Sequence, residues 1–176
     1  LYYNDGIDST VMNSIMSHPA NNQRVFDPME WQADKRFLFW RNWLLAVCVI
    51  VVAFGLAIAL LSWSPLFTIF DSLVSGVFWP GSAPGPEAKS FMLFAYGMLG
   101  ATMAGWGITL AYIVVNPFSR KEPWARDAIA LGLAVWFIVD TLMTVFTEAY
   151  FNVGVNVLLI VLAGVPLLAT RGDFRE

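Results

Sequence analysis

The sequence predicts an all-α, polytopic membrane protein with four transmembrane helices and one interfacial amphipathic helix. Three observations carry this prediction. Hydrophobic residues make up 58% of the chain and charged residues only 13%, against about 25% charged in soluble domains, and the mean hydropathy is +0.64. Four apolar runs approach or exceed the roughly 20 helical residues needed to cross a ~30 Å hydrocarbon core. The runs are continuously apolar rather than alternating, which argues against a closed β-barrel, the other fold that satisfies backbone groups in lipid.

The first predicted span is Trp43 to Trp63, WLLAVCVIVVAFGLAIALLSW, uncharged and with a tryptophan at each end, where the lipid–water interface would lie. The second covers about 91–115 and is stopped by Asn116 and Pro117. The third runs from about Trp124, after Glu122 and Pro123, to Thr147. The fourth covers about 153–170 and precedes a short polar tail, 171–176. No run resembles a signal peptide, since the chain opens with polar residues and its first apolar run is long and late.

Between the first two spans, PLFTIFDSLVSGVFW (Pro65 to Trp79) is too short to cross. Leu66, Phe67, Phe70, Leu73, Val74, Val77 and Phe78 recur at helical spacing, with Thr68, Asp71, Ser72 and Ser75 opposite. This is the pattern of an amphipathic helix on the outer interface, packed on lipid or on the bundle. PGSAPGPEAKS then makes a turn-rich loop.

Residues 1–26 are rich in Asn, Ser and Asp and contain His18, the only histidine; they are predicted to form a cytoplasmic tail ordered by contact with something else. Asp27, Pro28 and Glu30 supply an N-cap, a first-turn proline and a capping-box acid, so a helix is expected to start there. It either runs straight into the first span or bends near Arg41. Arg41 and Asn42 are expected to reach out to the interface.

Orientation follows from the basic residues. Arg24, Lys35, Arg36, Arg41, Arg120, Lys121, Arg126, Arg171 and Arg175 fall on one side of the predicted topology and only Lys89 on the other, which predicts cytoplasmic N- and C-termini. The formal net charge of −3 gives no reason to expect nucleic acid. Cys48, the sole cysteine, lies within the first span, where it offers no disulfide framework and acts as a small apolar filler.

Small residues mark the second span: Gly97, Ala101 and Gly105 recur every fourth residue, with Gly100 and Ala104 beside them. Such a face lets another helix approach closely, a main source of attraction in lipid. The partner is either the first span or another subunit.

The third span carries an acid. Asp140 lies sixteen residues past Trp124, roughly 24 Å from the inner edge at ~1.5 Å per residue. An intramembrane Asp costs about 2.5–3.5 kcal/mol, and each Leu, Ile, Phe or Val returns about 0.3–0.6 kcal/mol. Ten such residues on the same span allow it to insert. Asp140, Thr144 and Glu148 recur every fourth residue, and Asn152 and Asn156 are one turn apart on the returning helix. A tight hairpin would place Asn156 within a turn of Asp140. The predicted cluster is therefore Asp140, Thr144, Glu148, Asn152 and Asn156, with Thr141 and Tyr150 as further candidates. Either it only fixes the hairpin through interhelical hydrogen bonds, or it binds a ligand or relays a proton.

No catalytic residue, metal site or cofactor is predicted. No span contains a histidine for haem, di-iron or chlorophyll ligation, and phosphate-loop, HExxH, CxxC and serine-elbow motifs are absent from the sequence. An enzyme would have to work from isolated carboxylates. From Gly97 on, the strings GxxGATMAGWG, PFSRKEPWAR, WFIVDT, YFNVGVN and PLLATRGDF resemble a loose pattern of bacterial four-span inner-membrane proteins. That resemblance implies a bacterial plasma membrane and carries over no active site. The leading expectation is a non-catalytic accessory or scaffolding subunit of a larger membrane complex, in contact with lipid and other membrane subunits. The alternative is a small-molecule or lipid binding protein, with a proton-coupled carrier using Asp140 and Glu148 as one form of it.

Overall fold

The computed structural model describes residues 28–174, with side chains from Asp34 onward. The described residues from Asp34 onward belong to one compact unit. The expected tail 1–26, the capping side chains of Asp27 and Glu30, and Arg175 lie outside the described residues.

The described chain is all-helical. Helix α1 is Pro28–Leu61, α2 is Thr68–Phe78 after a 3-10 turn at Pro65–Phe67, α3 is Pro86–Ile113, α4 is Pro123–Phe146 and α5 is Phe151–Ala169. Four of these are long and apolar enough to span a membrane: Asp34–Leu61, Pro86–Phe118, Pro123–Phe146 and Phe151–Ala169. The chain is thus a multi-pass membrane protein by length and composition, with α2 as an additional short apolar helix. The spans are longer at their starts than the apolar runs alone suggest. The α1 helix continues unbroken through its polar first turns, and α3 starts at Pro86, where proline fits the first turn.

A close helix crossing joins α1 to α3. A Cβ built on Gly55 would sit 2.7 Å from the Gly100 carbonyl oxygen and 2.8 Å from the Ala104 nitrogen. A Cβ on Gly100 would collide with the Gly55 carbonyl and reach the Ala59 nitrogen at 2.6 Å, and one on Gly107 would reach Val52 Cγ2 at 2.8 Å. Backbone meets backbone here because no side chain intervenes. The contact stripe is Gly100, Ala104 and Gly107, not Gly97, Ala101 and Gly105. Gly97 and Gly105 have nothing within 4 Å of a built Cβ, and Ala101 is exposed. The two stripes point roughly 90° apart around the helix, and Gly55 and Ala59 meet only one of them.

Prolines within the helices are compensated locally. Pro166 in α5 has no N–H to offer the Leu162 carbonyl, and the Trp43 indole N–H of α1 donates to that carbonyl at 3.0 Å. Trp43, expected from the sequence as an interfacial ring, is therefore an interhelical donor. Pro117 falls in a wider π turn, Val114–Phe118, that extends α3. Ser119 Oγ donates to the Val114 carbonyl at 2.7 Å and accepts from Arg41 Nε at 2.9 Å, which draws Arg41 inward.

Both hairpin turns leave their helix through a left-handed residue that is not glycine. Lys121 has φ 58° and Glu148 has φ 61°. After α4, the Glu148 N–H bonds the Val145 carbonyl and the Ala149 N–H bonds the Thr144 carbonyl, which is the Schellman arrangement. In the α3–α4 turn, the Lys121 and Glu122 N–H groups repeat it on the Phe118 and Pro117 carbonyls. Glu122 also accepts from Arg120 Nε at 2.6 Å and Trp124 Nε1 at 2.7 Å. The Arg120 bond first, then the Trp124 bond, hold its carboxyl below its usual range.

One end of the bundle gathers the start of α1, the α3–α4 turn and the end of α5. Phe37, Phe118 and Phe174 pack there, with Phe118 fully buried and its ring 4.8 Å from Phe174. Lys121 pairs with Asp34 at 3.1 Å, and Arg36 lies 3.6 Å from Asp173. Arg171–Phe174 is accordingly a 3-10 turn that buries Phe174 rather than part of a free tail. At the other end the Pro65–Phe67 turn and α2 rest on the bundle: Phe67, Phe70 and Val74 pack on Ile58, Met92 and Tyr96, while Leu66 and Ile69 face outward.

Two predictions follow from these contacts. Gly100→Leu should lower the thermal midpoint in detergent by the equivalent of about 1–3 kcal/mol, while Gly97→Leu leaves it unchanged; equal effects would reverse the assignment of the contact face. Trp43→Phe should cost about 1–2 kcal/mol by orphaning the Leu162 carbonyl. Because Pro166→Ala restores an N–H to that carbonyl, the Trp43→Phe cost should shrink in the Pro166→Ala background. A cost that stays the same in both backgrounds contradicts the pairing.

Candidate functional site

The α4–α5 hairpin positions the polar side chains. Its tight turn makes the helices antiparallel neighbours, so residues equally far from the turn meet. Asn156 Nδ2 donates to Asp140 Oδ2 at 2.6 Å and to Thr141 Oγ1 at 3.2 Å. Asn152 Nδ2 donates to the same Asp140 oxygen at 2.9 Å and to Thr144 Oγ1 at 3.0 Å. Both amides turn their nitrogens, the donor side, toward the Asp140 oxygen that accepts.

Four of the five expected residues come together, joined by Thr141. Glu148 does not. The α4 helix ends at Phe146, and the left-handed backbone at Glu148 turns it off the face that Asp140 and Thr144 share. It is exposed. Tyr150 is 62% exposed and also stands outside the cluster. Asn156 is the most enclosed member, at 1% exposure, with Thr144 at 5%.

The hydrogen bonds account for one carboxylate oxygen. Interhelical bonds in membranes average about 0.6 kcal/mol, so the two that reach Asp140 return less than half of the ~2.5–3.5 kcal/mol that burying one Asp costs. The other oxygen, Oδ1, receives no hydrogen bond from any described residue, and it is not among the buried polar atoms lacking a partner. Asp140 borders open space.

That space is a cavity of about 480 Å³, partly open, between all four spans and α2. Val47, Cys48, Phe54 and Ile58 line it from α1, Leu99, Thr102, Met103 and Trp106 from α3, and Leu133, Trp136 and Asp140 from α4. Asn152, Val155, Asn156 and Leu159 line it from α5, and Phe70 and Leu73 from α2. Two aromatic pairs frame it: Trp106 with Trp136 at 6.2 Å between centroids, and Phe70 with Phe151 at 6.1 Å. The walls are apolar except for Thr102 and the Asp140–Asn152–Asn156 group, and they contain no Lys, Arg or His. Beside the α2 wall, the buried Tyr96 hydroxyl lies within electrostatic reach of Asp71 but makes no aligned hydrogen bond.

The cavity itself has no sequence signature, because its lining residues are the same types that fill a closed core. Trp106 and Trp136 were its one accessible hint, as bulky rings near the middle of their spans. Among the described residues no group of three or more His, Cys, Asp or Glu is placed to hold a metal ion. No protein-family model, curated protein or solved structure matches the chain.

Removing the amides should separate the members of the cluster. Asn156→Leu is expected to lower stability by about 1–3 kcal/mol, since it takes a donor from a buried acceptor. Glu148→Gly is expected to raise it by about 1 kcal/mol by relieving the left-handed backbone. Thermal unfolding in detergent measures both, and a destabilising Glu148→Gly would contradict the backbone strain assigned to Glu148.

Proposed function

We propose that the protein is a binding protein for an apolar small molecule or a lipid chain, which it holds inside the membrane-spanning bundle. The observation that carries this reading is the cavity of about 480 Å³ beside Asp140. Its size is that of a small-molecule site, and such sites combine apolar walls with a few orienting polar groups. In this reading the α4–α5 cluster orients the ligand, and binding needs no catalytic group. The proton-coupled form of the proposal rests on Asp140 alone, because Glu148 lies outside the cluster. The proposed location is the bacterial plasma membrane with the basic end on the cytoplasmic side, a reading supported by the uneven basic residues.

An accessory role in a larger complex is the second reading. The outward stripe of Gly97, Ala101 and Gly105 favours it, since that stripe is free to receive a helix from another subunit. Gly97→Leu would then remove a co-purifying subunit without unfolding the chain.

The binding reading is tested by native mass spectrometry after mild extraction. A retained lipid or small molecule is expected on the wild type. Thr102→Phe combined with Val155→Phe, two substitutions that fill the cavity from exposed wall positions, should reduce occupancy about tenfold or more, equivalent to ~1.4 kcal/mol. Wild type that is bare, or adducts that survive the filling, contradict the reading.

A further inference from the structure

We infer that the cavity selects an amphiphilic cation, whose charge pairs with the unshared oxygen of Asp140 and whose apolar body lies among the aromatic walls. This deepens the proposed binding role and rests on it. The two amides approach Asp140 through one oxygen only. No described residue donates to Oδ1, on a side chain that borders the cavity.

Among the described residues no charge in the bundle balances this acid. The described basic residues sit in the first turns of α1, in the α3–α4 turn and first turn of α4, at Arg171, and at Lys89 in the first turn of α3, and the cavity lining has none. An intramembrane carboxylate without a counter-charge is costly, and a bound cation offsets part of that cost. A neutral apolar ligand would leave Oδ1 unmatched, and an anion would be repelled.

The surrounding rings suit the same ligand. Trp136 precedes Asp140 by four residues on α4 and so lies on the same face, one turn away. It packs with Trp106, and Phe151 adjoins Asn152 at the start of α5 and also lines the cavity. Aromatic faces attract cations, most strongly where water is excluded. Carboxylate, amides and rings therefore present a negative, aromatic end to an otherwise hydrocarbon chamber. The matching chemistry is a quaternary or protonated amine, or another lipophilic onium ion.

The test uses the full chain in nanodiscs and a series of probes of similar shape: tetraphenylphosphonium, the neutral tetraphenylsilane and the anion tetraphenylborate. Equilibrium binding is measured as the excess over the Thr102→Phe, Val155→Phe variant, which corrects for partition into lipid. The expected result is that the phosphonium binds at least about tenfold more tightly than the other two, and that Asp140→Asn removes this preference. The charge series on wild type stands on its own if Asp140→Asn does not fold. Equal binding of all three probes, preference for the anion, or a cation preference unchanged in a folded Asp140→Asn protein overturns the cation inference and leaves the apolar binding site standing. No excess binding of any probe overturns both.

Discussion

Lipid offers the backbone no hydrogen bonds, and the rest of this structure depends on that constraint. Every N–H and C=O within the spans must find its partner in the protein. Most do so within the helices. Where a helix cannot supply the partner, another element does: Trp43 reaches across from α1 to the carbonyl that Pro166 abandons, and a π turn accommodates Pro117. The same constraint applies to side chains. Asp140 can sit in α4 because α5 returns beside it with two amides.

With no hydrophobic force between helices in lipid, close packing has to come from shape. The α1–α3 pair is drawn together by the absence of side chains at Gly55 and Gly100. The α4–α5 pair is held by its short turn and by the Asp140–Asn156 group. These two pairs, with α2 across one end, enclose the cavity instead of closing over it. Large aromatic side chains at Trp106, Trp136, Phe70 and Phe151 brace its walls. The structure thus places Asp140 at the edge of open volume, where a purely structural role would use only half of the carboxylate.

Much of this was legible in the sequence, since it depends on one-dimensional patterns. The spans are apolar runs, α2 is a helical spacing of Phe67, Phe70 and Val74, and the meeting of Asp140 with Asn156 follows from counting outward from a tight turn. Other features depend on relations that a single segment does not carry. Both small-residue stripes of α3 look alike, and what separates them is the position of Gly55 on another helix. Glu148 continues a four-residue period, but α4 stops two residues earlier at a turn that glycine would have marked and glutamate does not. Phe174 reads as tail until its ring is seen between Phe37 and Phe118. Empty space leaves no residue to read.

The central claim is that the bundle encloses a site organised by Asp140. A density map of the native particle in lipid, resolved to side chains, tests it most directly. The account predicts continuous density of a non-protein molecule between Trp106, Trp136 and Asp140, reaching Oδ1. Helices closed over that volume, or Asp140 turned outward to the acyl chains, would contradict it.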